Sequence, residues 1–278
     1  MGHTTRKIAL RGIEMELEEA GEGERAFVLV HGFTGSRDDF RERVPELAAL
    51  GRTIALDQRG HGGTTNSGHA ADYSLDGLVA DLAAAFDALG LARADLLGHS
   101  LGGMVTLRFA LAHPERVASL VLMDTSPRPM PLPIPETARI ALAKLAHEQG
   151  VAALLHGIRR RPLEDLAPAR RRCIEQGGEA YWERIARKLE AMDPMAWQEL
   201  IRVLGDHEPV VHRLGEIRCP TTVLVGEQDQ AFLAPADELE RGIADAVRVT
   251  IPDAEHSPQL ENPAAWSVAI RAHLARAR

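Results

Sequence analysis

Apolar residues follow two rhythms along this chain, and the change between them divides it. In the first rhythm, short continuous apolar runs are spaced by helical patterns. Phe27, Val28, Leu29 and Val30 form one run, and Thr53, Ile54, Ala55 and Leu56 form the next. Leu96 with Leu97, then 120–123, 223–225 and 247–249, repeat the pattern. Such runs fit strands buried on both faces of a parallel sheet. Residues 8–10 and 13–17 predict a leading antiparallel pair turned at Gly12. Between 74 and 90, Leu75, Leu78, Val79, Leu82, Phe86 and Leu89 make one helical stripe. Ser74 serves as its N-cap and Gly90 as its stop. Strands alternating with helices predict an α/β fold with a doubly wound, mostly parallel sheet.

The second rhythm fills 127–213. Pro127, Pro129, Pro131, Pro133 and Pro135 deny a regular helix and favour extended chain. The stretches 136–149, 179–191 and 195–204 are helical in pattern, and the sheet resumes only near Pro220. The expected organisation is a core of 1–126 and 214–278 carrying an inserted helical cap, or lid, at 127–213. A chain of 278 residues suits one α/β domain with such an insertion.

Composition removes several function classes. A net charge of −8 gives no electrostatic case for nucleic acid or an anionic membrane surface. Cys173 and Cys219 offer neither a disulfide framework nor a metal site, and no cofactor or metal is expected. The residues from Met1 to Arg6 lack the apolar stretch of a signal peptide, and no run approaches a membrane span. These features predict a cytoplasmic protein, monomeric or homodimeric, acting on a small molecule.

Chemistry concentrates at Gly98, His99, Ser100, Leu101, Gly102 and Gly103. This Gly-x-Ser-x-Gly stands between the apolar run at 94–97 and a helical pattern through Met104, Leu107 and Leu111. Strand before and helix after is the context of a nucleophile elbow, where a strained turn exposes the serine hydroxyl at the sheet edge. Flanking glycines fit because side chains there would strike neighbouring backbone. A serine hydroxyl needs a base, and the base needs an orienting acid. Asp229 follows the strand at 223–225, and His256 follows the last strand. Ser100 would attack, His256 would carry the proton, and Asp229 would fix the imidazole tautomer. Asp124, just past the strand at 120–123, is the reserve acid, and Glu227 is a weaker one. Backbone N–H groups of Leu101 and Phe33 are the expected oxyanion donors, with Gly32 allowing close approach.

Leu29 to Phe33, Asp57 to Gly62, Gly98 to Gly103, Gly226 to Asp229 and Asp253 to His256 together resemble the α/β-hydrolase superfamily. The likeness spans nearly the whole chain outside 127–213. It implies an eight-stranded, mostly parallel sheet with a lid inserted after the sixth strand. It also implies that Asp57 to Gly62 is a structural loop, and this stretch lacks the lysine and spacing of a phosphate-binding loop. Ser100 stands where dehalogenases and epoxide hydrolases of this superfamily carry aspartate. The loop His31 to Ser36 is similar to that of the menaquinone-pathway synthase. That family, however, has arginine after its paired glycines where this chain has Met104.

Phe33, Met104, Met130, Trp182, Trp197, Phe232 and Leu233 are the candidate lining of an apolar acyl pocket. The leading reading is a cofactor-free serine hydrolase of carboxylic esters, lactones included, working through an acyl-enzyme. A second reading keeps the triad for C–C cleavage or elimination on an anionic substrate. The arginine runs 159–161 and 170–172 would then be its anchors, against a plainer role as solvated helix faces. A third reading is a ligand receptor or regulator on the same fold.

Overall fold

The structure, a computed structural model, describes residues 3–10, 12–132 and 134–277. Pro133 of the proline run and the first two residues of the N-terminal stretch lie outside the described residues. Eight strands form one sheet: β1 His3–Ala9, β2 Glu14–Ala20, β3 Ala26–Val30, β4 Arg52–Leu56, β5 Ala94–His99, β6 Val117–Met123, β7 Thr221–Gly226 and β8 Ala246–Ile251. Their order is β1-β2-β4-β3-β5-β6-β7-β8. The pairs β1/β2 and β2/β4 are antiparallel, and every other neighbouring pair is parallel. The α/β class and the mostly parallel eight-stranded sheet are therefore as expected. The chain reverses its direction of travel between β3 and β5. In such a sheet the crevice beyond the carboxyl ends of those strands is where ligands bind.

Period-two alternation divides the core between two layers. Val28, Val30 and Leu96 face α2 (Leu75–Ala88) and α3 (Leu101–Ala112), whose Leu82, Phe86 and Leu107 are buried against them. Phe27, Leu29 and Leu97 face the other way, onto Val44 and Leu47 of α1 (Val44–Ala48) and Trp266 and Ile270 of a C-terminal helix. Ser74 caps α2 by accepting the Gly77 N–H at 3.1 Å, and Gly90 closes it with φ 65°.

Between β6 and β7 the described chain is helical and contains no strand. It contributes α4 (Glu136–Gln149), α5 (Leu155–Arg159), α6 (Pro168–Glu190) and α7 (Pro194–Gly205). The helix α6 is interrupted at Gly178, with φ 53° and ψ −131°, so its second half begins where the apolar pattern predicts a helix. This insert is tied to the core by charged and polar contacts. Lys188 meets Asp39 at 2.6 Å, Asp193 accepts from the Gly68 N–H at 3.1 Å and from Tyr73, and Arg184 pairs with Asp38 at 3.5 Å. The remaining helices are α8 (Gln230–Gly242), α9 (Pro258–Glu261) and α10 (Pro263–Arg276). No described helix is long and apolar enough to cross a membrane.

Candidate active site

Among the described non-glycine residues, four adopt a positive φ: Thr34 (58°), Ser100 (52°), Asp124 (45°) and Asp253 (51°). They follow β3, β5, β6 and β8, so backbone strain gathers at the carboxyl edge of the sheet. Ser100, with ψ −116°, is the joint between β5 and α3. Its N–H donates to the Met123 carbonyl at 2.9 Å, and the Thr125 hydroxyl donates to its carbonyl at 2.7 Å. The glycines of this turn have no room for a side chain. A Cβ at Gly98 would fall on Thr106 and the Gly102 carbonyl, and one at Gly102 would fall on the carbonyls of Val30 and His31. The strain is thus held by a close fit between the elbow and β3.

The loop after β3 lies against the serine. A Cβ at Gly32 would come within 3.1 Å of Ser100 Cβ. Gly35 N–H closes a turn on the Gly32 carbonyl at 3.0 Å, with Phe33 inside that turn. Leu101 opens α3, so its N–H has no acceptor within the helix. His31 braces the loop: its Nδ1–H donates to the Gly32 carbonyl (2.8 Å) and Nε2 accepts the Gln58 N–H (3.0 Å). Burial pushes His31 down to about 4, which keeps it neutral and able to accept. The Asp57 to Gly62 loop serves this bracing. Asp57 accepts from the backbone of Arg37 at 2.7 Å and of Gly63 at 2.9 Å, and Gln58 Nε2 donates to the His31 carbonyl at 2.7 Å.

His256 Nδ1 meets Asp229 Oδ2 at 2.6 Å, with Asp229 only 6% exposed. A carboxylate only accepts, so Nδ1 carries a proton, and in the neutral imidazole Nε2 is then the acceptor. Phe232 packs on the imidazole with ring centroids 4.8 Å apart. His99 approaches from the other side at 5.0 Å and donates Nε2–H to the His256 carbonyl at 2.6 Å. Burial first, and then the neighbouring His256, push His99 down to about 3, so it is neutral. Asp124, the reserve acid, accepts the Gly226 N–H at 2.9 Å and lies beside Asp229. Glu227 turns elsewhere and accepts the Asp253 N–H at 3.1 Å. Asp124, Asp229 and His256 present ligand atoms within 4.8 Å of one another. The 2.6 Å between Nδ1 and Oδ2 is a hydrogen-bond distance. Two ligands of one zinc-sized ion stand about 3.3 Å apart, given metal bonds of about 2.0–2.1 Å.

Ser100, His99 and His256 open on one cavity of about 660 Å³, a size that suits a small organic ligand. The core contributes Gly32, Phe33 and Thr34, and the insert contributes Ile174, Tyr181, Trp182 and Ile185. Of the residues expected to line it, Phe33 and Trp182 do. Met104 does not: the first turn of α3 directs it into the core, where it is 0% exposed. Trp197 is buried and packs on Phe33 at 6.4 Å, a layer behind the wall. Met130 and Leu233 pack on the main core cluster, and Phe232 is spent on the His256 ring.

Several contributors have no signature in the apolar pattern. Glu261 Oε2 accepts the N–H groups of Glu255 (2.6 Å) and Ser257 (3.1 Å), which flank His256 and hold its loop. Burial raises the Glu261 carboxyl above its ordinary range. Its only clue is a carboxylate five residues past the histidine, at the end of the short α9. The arginine runs divide. Arg159 pairs with Glu179 on the surface, whereas Arg170 pairs with Glu255 at 2.8 Å and Arg172 donates to the carbonyls of Asp253 (2.6 Å) and Glu261 (3.1 Å). The second run therefore clamps the insert to the His256 loop. Arg161 and Arg170 reach the cavity wall.

Known proteins share this architecture. A Bacillus subtilis (strain 168) protein with the provisional name 2-succinyl-6-hydroxy-2,4-cyclohexadiene-1-carboxylate synthase is 30% identical over 254 residues, 88% of this chain and 89% of its own. A thermophilic esterase from Thermogutta terrifontis superposes with a TM-score of 0.83 at 27% identity, covering 99% of both chains. The enol-lactonase from Burkholderia xenovorans LB400 gives 0.82 at 23% identity, over 97% of this chain and all of that one, a likeness of fold. The family model of the alpha/beta hydrolase fold matches residues 25–263, and the chain belongs to that family.

Proposed function

We propose that this chain is a serine hydrolase of carboxylic esters, lactones included, that works through an acyl-enzyme and needs no cofactor. The observation that carries this reading is the 2.6 Å bond from His256 Nδ1 to the buried Asp229, made just behind the cavity that Ser100 and His256 both open on. In this mechanism His256 Nε2 takes the hydroxyl proton as Ser100 Oγ attacks the carbonyl carbon. The alcohol leaves with that proton, and His256 then activates the water that cleaves the acyl-enzyme. Leu101 and Phe33 N–H groups receive the charge that develops on the carbonyl oxygen. Residues 127–213 act as the cap, whose Tyr181 and Trp182 close the acyl side of the cavity. The similarity to an esterase at 27% identity supports the class. Steady-state hydrolysis of nitrophenyl esters from acetate to decanoate tests it, with Ser100→Ala as control. Turnover that vanishes in the variant is expected, whereas equal turnover in both proteins refutes the reading.

A second reading, elimination or C–C cleavage on an anionic substrate, draws support from Arg161 and Arg170 at the cavity wall and from the name of the Bacillus subtilis relative. Inhibition by simple dicarboxylates, with poor turnover of neutral esters, would favour it over ester hydrolysis.

A further inference from the structure

Two carboxyl groups share the ground behind His256, and only one has a charge partner. Asp124 is fixed from every side. It is 1% exposed, its backbone sits at φ 45°, and its N–H donates to the Leu224 carbonyl at 2.9 Å. Its Oδ1 accepts the Gly226 N–H at 2.9 Å. Its Oδ2 is buried and receives no N–H or O–H from any described group. Its carboxyl stands beside that of Asp229, with their ligand oxygens no more than 4.8 Å apart. Two ionised carboxylates this close and shut away from water repel one another, and a proton on one of them relieves the repulsion.

The surroundings decide which one. Asp229 has the imidazole of His256 at 2.6 Å, a partner that gains a full positive charge whenever His256 takes a proton. Asp124 faces the carboxyls of Asp229 and Glu261 and the Gly226 N–H; the His256 ring, though within 4.8 Å of it, gives its 2.6 Å bond to Asp229 instead. Burial and then the Asp229 charge push its carboxyl well above the usual range.

We propose that Asp124 is a neutral carboxylic acid whose Oδ2 proton is donated to Asp229, making it the positioning residue that holds Asp229 as the single charged acid behind His256. This rests on the Ser100, His256 and Asp229 assignment above. The arrangement satisfies the otherwise bare Oδ2 and restrains the rotation of Asp229. It also keeps one negative charge, rather than two, beside the imidazole.

Asp124→Asn tests the idea because the amide keeps an acceptor for Gly226 and a donor for Asp229. The readout is the His256 imidazole pKa, followed by nitrogen-15 NMR in wild type and variant, so no substrate is needed. If Asp124 is neutral, the pKa stays within about 0.5 unit, whereas loss of an ionised neighbour about 5 Å away would lower it by about one unit or more. A fall beyond 0.5 unit overturns the proposal. Activity supplies the second arm. Asp124→Asn should keep kcat within about threefold, while Asp124→Leu, if folded by circular dichroism, should lose about tenfold or more in kcat with KM little changed. A loss of about 10³-fold or more in Asp124→Asn would make Asp124 itself the acid and overturn the proposal. Failure of the underlying assignment has its own signature, which is undiminished turnover by Ser100→Ala.

Discussion

Lowering the pH from 7 to 5 should weaken this fold through histidines that it keeps uncharged. Burial is the leading cause in each. It holds His31 and His273 at about 4, and His61 and His99 at about 3. His273 of α10 is the cleanest probe because it lies at the amino ends of the strands, away from Ser100. Its Nε2–H donates to Ser119 Oγ (2.9 Å), Ser119 donates to Asp95 (2.5 Å), and Nδ1 accepts from Thr222 Oγ1 (2.8 Å). An unfolded histidine titrates near 6.5, so between pH 6.5 and 4 the unfolded chain takes up a proton that the folded one refuses. With a folded value of about 4, the stability lost by pH 5 is about 2 kcal/mol for this one residue. The loss is absent well above pH 6.5 and stops growing near 4, where the folded residue protonates too. Asp57 and Glu261, both raised by burial, work in the opposite direction, so the total acid response does not isolate the effect. The comparison with His273→Gln does. Urea titrations followed by circular dichroism at pH 7 and pH 5 give the fall in unfolding free energy for each protein. The fall should be smaller in the variant by about 2 kcal/mol, whatever the variant loses at neutral pH. Equal falls in the two proteins would refute the reasoning.

Further consequences can be checked on the same preparations. His256→Ala should lower kcat/KM on a nitrophenyl ester by about 10³-fold or more with an unchanged circular dichroism spectrum; near-wild-type turnover would remove His256 from the mechanism. Gly98→Ala, whose Cβ would strike Thr106 and the Gly102 carbonyl, should cost about 3 kcal/mol or more. Gly90→Ala meets open space at φ 65° and should cost only about 1 kcal/mol; equal thermal shifts for the two would sink the packing argument. Glu261→Ala should lower kcat about tenfold with little change in KM, since it frees the loop on both sides of His256. An unaltered kcat would show that the loop holds without it.

The central strands were legible because both faces are buried, which writes continuous apolar runs into the chain. The edges were less so. β1 runs from His3, well before the apolar start at 8, because His3 to Lys7 are exposed on the outside of the sheet and carry polar residues. The first half of α6 was hidden in the same way: Arg170, Arg171 and Arg172 and the paired glycines 177 and 178 mask a helix that packs through few apolar side chains. The loop positions of Ser100, Asp229 and His256 were legible from their places after strands. What each tryptophan of the insert touches was not, since Trp182 and Trp197 sit on neighbouring helices and only tertiary packing turns one to the cavity and the other behind Phe33. The state of a buried carboxyl is further still from the sequence. Asp124, Asp229 and Glu261 are chemically alike, and their different surroundings come from the fold, which brings Gly226 to Asp124 from 102 residues away and His256 to Asp229 from 27.

The two ends of the sheet divide the work of the fold. At the amino ends, His273, Ser119, Asp95, Thr222 and Arg25 form a chain in which no buried side-chain polar atom lacks a partner, and no described non-glycine residue there has a positive φ. At the carboxyl ends stand all four strained residues, the bare Nδ1 of His99 and the bare Oδ2 of Asp124. Each strained backbone costs about 1–3 kcal/mol, so four together approach the whole net stability of a domain. Such a concentration persists only where the rest of the structure over-determines it, here through a sheet packed on both faces and an insert fastened by Lys188, Arg170 and Arg172. The proposal that the chemistry sits at Ser100 therefore has a physical support independent of its motif. The fold is least relaxed at this edge, and it faces a cavity there that can hold a ligand.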